Sequence, residues 1–209
     1  MKPIALVRGP AAPLLTPNMD TEVIVRVVRL MEFQKGELGH FLFEPLRYFE
    51  DGRENPAFVL NQHGFRHSAI LLAGDNFGCG SSREGAVWAL QDFGIQCVIA
   101  PSFGDIFFTN SLQNGLLPIV LDPLQIGEIA LQSLPGAAPT SVDLRRGVIE
   151  LPSGKLFGFS LRADSRERLL SGVEEIDETL CFEPDIAKYQ ERTREAEPWV
   201  FCKTDVKAG

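Results

Sequence analysis

A chain of 209 residues, 44% hydrophobic and 23% charged, is long enough to bury a core and has the composition of one globular domain. Its formal net charge of −8 argues against nucleic acid or an anionic membrane surface as a partner, since either is normally met by a basic patch. The opening MKPIALVRGP lacks a signal-peptide pattern and no apolar run reaches the length of a membrane span, so a cytoplasmic protein without a membrane partner is expected.

Periodicity and punctuation predict an alternation of strands and helices. Strands are expected at residues 4–7 and 22–27, followed by a long, weakly periodic connection over 30–56 that reads as functional. A third strand at 68–73 leads through a glycine-rich loop into a helix over 83–93, with Gly94 placed to close it in the left-handed region. Next come a strand at 95–100, a helix opened by a capping box of Ser102 and Asp105 and closed by Gly115, and a strand at 117–121. Asp122 followed by Pro123 marks another helix start. Strands at 148–151 and 156–161 flank a Pro-Ser-Gly turn, and the chain ends in a charged helix or tail over about 183–209. The whole of 1–209 is expected to be a single domain.

The chemistry is concentrated in GDNFGCGSSRE, at residues 74–84. Gly74, Gly78 and Gly80 permit positive φ and close approach of backbone, so successive N–H groups can turn toward an anion. The spacing matches neither a P-loop nor a dinucleotide fingerprint, and no G-x-S-x-G elbow is present. Ser81 and Glu84 also have the spacing of an ordinary capping box, which is compatible with a helix start that binds a carboxylate. The four cysteines, Cys79, Cys97, Cys181 and Cys202, show no metal-ligand spacing, and Cys97 reads as a buried apolar residue. His40, His63 and His67 are too few and unpatterned to carry an argument, and the aromatics of FLFEPLRYF read as packing.

The run NFGCGSSRE, the W-A-L that follows it and VIAPSFGDIFFTNSLQNGLLPI resemble the small subunit of bacterial 3-isopropylmalate dehydratase, a family similar to the swivelling C-terminal domain of aconitase. NMDTEVI, HFLFEPLRYF and NPAFVLN extend the likeness across most of the chain. The resemblance implies an α/β fold: a swivelling β/β/α domain with a mixed-sheet or barrel-like core flanked by helices. It implies that Ser81 is the catalytic base, that Ser82 and Arg83 bind substrate carboxylate with Thr21 and Glu22 beside them, and that Asn76, Gly78, Cys79 and Gly80 shape the loop. Backbone donors and a guanidinium would stabilise the serine alkoxide, and an arginine fork fits a carboxylate bidentately. The implied reaction isomerises 2-isopropylmalate to 3-isopropylmalate by dehydration and rehydration. The implied four-iron, four-sulfur cluster, a Lewis acid for the leaving hydroxyl, belongs to a partner large subunit, with no cofactor or metal on this chain.

Three departures stand out. Gly85 occupies a position where the family has histidine; Glu22 replaces the last aspartate of a D-T-D element; and the segment over 24–39 differs, with Ile24, Val25 and Arg26 for an Ile-Ile-Pro run and Lys35 as the cation of QKGELG. These leave open a paralogue acting on citramalate, dimethylmalate or another alkylmalate, or a non-catalytic binding or regulatory protein.

Overall fold

Apolar residues crowd both faces of four short strands, which places them in the middle of a layered fold and requires that helices or a second sheet cover each side. The computed structural model describes residues 1–134 and 136–201; Cys202 and the end of the expected tail, 202–209, lie outside the described residues. It divides into two units, Met1–Gly172 and the segment from Val173 onward.

In the first unit, β1 (Leu6–Gly9) and β2 (Ala11–Leu14) are separated by Pro10 alone yet belong to different sheets. Short helices α1 (Thr21–Ile24), α2 (Val27–Glu32) and α3 (Glu44–Arg47) precede β3 (Ile70–Ala73). Then α4 (Glu84–Phe93), β4 (Cys97–Ala100), α5 (Asp105–Asn114), β5 (Leu117–Val120) and α6 (Pro123–Gln132) alternate. The unit closes with β6 (Thr140–Asp143), β7 (Val148–Glu150), β8 (Leu156–Gly158) and α7 (Ala163–Ser171).

The strands of an α/β fold are sorted here by direction. Strands β2-β3-β4-β5 form a parallel sheet, and β1-β6-β7-β8 an antiparallel one. Period-two alternation divides the parallel sheet between two cores. Leu71, Ala73 and Val98 face a core shared with α4 and the long connection, whereas Ile70, Leu72 and Ile99 face one shared with Val7, Val142 and Ile149 of the antiparallel sheet. Cys97 lies in that second core, where burial pushes its thiol pKa well up.

Several expected elements are displaced. The first strand lies at Leu6–Gly9 rather than 4–7, and β2 and β6 carried no strand signal. Pro13 is tolerated in β2 because β2 is an edge strand, where a missing N–H costs no ladder bond. The expected strand at 22–27 is instead α1 and the start of α2. Asp20 accepts from the Glu22 N–H at 2.6 Å, and this cap wins over the β-branched run. Gly94 and Gly115 close α4 and α5 in the left-handed region, and Asp122 caps α6.

The second unit contains α8 (Glu175–Leu180) and α9 (Glu183–Ala196). None of α9 is buried, as its charged composition led one to expect.

Candidate active site

Strand β3 delivers the loop 74–83 at the carboxyl edge of the parallel sheet, the edge at which open α/β sheets bind ligands. Residues 18–22 run alongside it and hold it mainly by main-chain bonds. The Asn18 N–H donates to the Asp75 carbonyl, the Gly78 N–H to Met19 and the Thr21 N–H to Cys79, at 2.8–3.0 Å, with a parallel bridge pairing Asp20 and Cys79. Asn76 adds a side-chain bond to Asn18 at 2.8 Å.

To follow this template the loop passes through the left-handed region at Asn76, Gly78 and Gly80. Gly78 and Gly80 are required twice over. A Cβ on Gly78 would overlap the Phe107 ring, and one on Gly80 the Asp20 carboxylate. The base of the loop is tied by Ser102, whose hydroxyl accepts from the Asn76 N–H at 2.8 Å and donates to Asp75 at 2.6 Å. Ser102 therefore does not cap α5, whose N-cap residue is Gly104 and which has no side-chain cap.

With the backbone held in this way, the side chains at the loop's end are left available. Ser81 and Ser82 are exposed, and Arg83 is the N-cap residue of α4, with no side chain capping the helix. The capping box expected from Ser81 and Glu84 is absent; Glu84 accepts instead from Asn114 at 2.7 Å. An uncapped start to a ten-residue helix, flanked by a guanidinium, favours a bound carboxylate.

Two expected substrate contacts are placed differently. Thr21 is only 1% exposed and its hydroxyl donates to the Ser81 carbonyl at 3.0 Å, so it holds the loop and cannot reach a substrate. Glu22 pairs with Arg83 across 61 positions of sequence, and its other oxygen accepts from the Val27 N–H at 3.3 Å. Like-charge repulsion makes a carboxylate a poor partner for an anionic ligand, so Glu22 reads as the ion-pair partner of Arg83 rather than as a ligand contact. Nothing local in the sequence signals that pair; the Glu22 and Arg83 motifs each point toward substrate.

The remaining singled-out residues fall as follows. Cys79 is half-buried within the templated stretch. Lys35 donates to Asn114 at 3.3 Å and lies over the Trp88 ring, docking the 33–38 segment against α4 and α5. Asp92 of α4 anchors the same segment by accepting from Gly36 and Leu38. Gly85 is buried, and the space where a side chain would stand is occupied by Leu30 of α2. Among the described residues no group of three His, Cys, Asp or Glu side chains could hold a metal ion. Among them, too, no helix is long and apolar enough to cross a membrane.

Comparison with known proteins agrees with this architecture. The family described as the aconitase C-terminal domain matches residues 1–124. The small subunit of 3-isopropylmalate dehydratase from Afipia carboxidovorans is 44% identical over 96% of this chain and 100% of its own length. That of Rhodospirillum centenum is likewise 44% identical, over 96% of this chain and 100% of its own. The crystal structure of 3-isopropylmalate dehydratase from Methanocaldococcus jannaschii superposes with a TM-score of 0.65 at 24% identity, covering 88% of this chain and 99% of that one, and so supports the fold. The chain belongs to the aconitase C-terminal domain family and, within it, to the small subunits of 3-isopropylmalate dehydratase-type hydro-lyases.

Proposed function

We propose that this chain supplies the substrate-gripping half of an active site that interconverts 2-isopropylmalate and 3-isopropylmalate in leucine biosynthesis, in the cytoplasm. The other half, with its four-iron, four-sulfur cluster, belongs to a large subunit. The observation that carries this reading is the exposed Ser81–Ser82 pair beside Arg83 at an uncapped helix start, in a chain of this family.

Each residue then has a physical task. Ser81 takes the proton from the carbon next to the hydroxyl-bearing one, and the electron pair left behind forms the alkene as the hydroxyl departs. Return of water in the opposite orientation completes the isomerisation. A serine hydroxyl is a weak base, so its alkoxide needs nearby donors; loop N–H groups and the Arg83 guanidinium are the available ones. Ser82 and Arg83 grip a substrate carboxylate, the guanidinium through its planar fork. Thr21, Asn76, Gly78, Cys79 and Gly80 act through the loop's shape.

The test is reconstitution with the large subunit under anaerobic conditions, following alkene absorbance with a panel of alkylmalates. Turnover of 2-isopropylmalate above the other members is the expected result. A preference for citramalate or dimethylmalate would overturn the substrate assignment. Silence across the panel with the complex and cluster intact would overturn the catalytic one.

A further inference from the structure

We propose that Glu22 is a positioning residue for the Arg83 clamp, and that the contact of Leu30 with Gly85 sets where Glu22 stands. The proposal rests on the reading above, in which Arg83 grips the substrate carboxylate.

Glu22 is anchored at three points. Its N–H donates to Asp20, one carboxylate oxygen accepts from Val27 at the head of α2, and the other pairs with Nη1 of Arg83. The Arg83 side chain is 17% exposed, and among the described residues its Nε and Nη2 have no hydrogen-bond partner. A guanidinium has five donors in a fixed fork, so it can be held on one edge and bind a carboxylate on another.

The pair has two opposing effects on substrate binding. It removes rotamer freedom that a free arginine would lose on binding, and it places a negative charge near a negative ligand. Glu22 is 46% exposed, so solvent and salt screen its repulsion, while the orienting hydrogen bond is not lost to screening. Orientation therefore wins, and the sign of the prediction follows.

The second part follows from packing. Gly85 is buried in the first turn of α4, and a Cβ there would overlap both Cδ atoms of Leu30. Leu30 belongs to α2, whose first N–H is the one Glu22 accepts. The bare position at 85 thus lets α2 approach the head of α4, α2 locates the Glu22 carboxylate, and Glu22 orients Arg83.

The experiment measures kcat and KM of the reconstituted complex with 2-isopropylmalate, with thermal midpoints to confirm folding. Glu22→Gln should raise KM about tenfold and lower kcat by a smaller factor, since the guanidinium it orients both grips the carboxylate and steadies the Ser81 alkoxide. Glu22→Asp should recover part of the loss. Gly85→Ala should raise KM a few-fold, and adding Leu30→Ala should bring it back toward the parent value. In an Arg83→Lys background, Glu22→Gln should have almost no further effect. A KM that is unchanged or lower in Glu22→Gln, effects of Glu22→Gln and Arg83→Lys that simply multiply, or a Gly85→Ala defect that Leu30→Ala leaves in place would overturn the proposal. If Arg83→Lys itself leaves KM untouched, the carboxylate-clamp reading falls first.

Discussion

The loop 74–83 and the stretch 26–56, which carries the short helices α2 and α3, are held in opposite ways. The loop is fixed mainly through its backbone, by main-chain bonds to residues 18–21 and by the tie at Ser102, which leaves Ser81 and Ser82 exposed. The connection is fixed through side chains. Arg47, buried at the end of α3, donates to Asn61 at 3.2 Å and to the carbonyls of Gly39, His40 and Leu42 at 3.3–3.4 Å, and lies over the Phe93 ring. Arg29 makes a two-point pair with Glu44 in the same stretch. A segment whose backbone is already satisfied can offer its side chains to chemistry, whereas one whose side chains satisfy its backbone cannot.

Substitutions in the two regions should therefore separate activity from stability. Ser81→Ala is expected to lower turnover of the complex by roughly 10²–10⁴-fold, the range for a lost acid–base group, with the thermal midpoint of the chain unchanged. A comparable drop in both would mean that Ser81 is structural. Arg47→Met should do the reverse. It removes the partner of three carbonyls and an amide oxygen, each costly to leave buried and unpaired, and should destabilise the chain by about 3 kcal/mol in urea unfolding. Burial already holds the Arg47 pKa below its usual range, a sign that its charge is costly to keep and depends on these acceptors. An Arg47→Met chain as stable as the parent would remove the contrast between the regions.

What the sequence revealed divides along the same line. The glycines of the loop, the closing Gly94 and Gly115 and the Asp122–Pro123 start are local signals with local causes, and the structure follows them. The partners are not local. Ser81 and Ser102 both have the spacing of a capping box, yet Ser102 is drawn to Asp75 and Asn76, about 26 positions away, and α4 starts three residues past Ser81 with Arg83 at its N-cap. Residues 22–27 have strand composition, and the Asp20 cap, whose carboxylate also fills the space beside Gly80, turns 21–24 into helix while Val25 and Arg26 keep extended backbone before α2. Arg47 stands with Glu44 inside FLFEPLRYF, and nothing there marks it as a buried cation; its acceptors are brought to it by the fold. The likeness to the family is what suggested a role for the loop, whereas the Glu22–Arg83 pair and the filling of the Gly85 space by Leu30 appear only once the chain is folded.

Gly80→Ala tests the template itself. At φ +91° and against the Asp20 carboxylate, an added methyl should cost about 1–3 kcal/mol of stability and shift the backbone carrying Ser81, so activity should fall together with stability. An active, fully stable Gly80→Ala chain would show that residues 18–22 do not set the loop's path.

The smallest effect is expected at Glu44, in the side-chain-held region. The Arg29 guanidinium beside it holds its carboxyl below the usual carboxylate range, so the folded state favours the charged form more than the unfolded state does. The pair's contribution is then present above the unfolded carboxylate pKa, near 4, and is lost as pH falls through the lower folded value. Glu44→Gln should cost less than about 1 kcal/mol at pH 7, since the pair is partly solvated, and the difference from the parent chain should shrink toward zero as acid protonates Glu44. A penalty that stays constant from pH 7 down into the acid range would mean that glutamine disturbs packing rather than charge, and that the connection relies less on ion pairing than its geometry indicates.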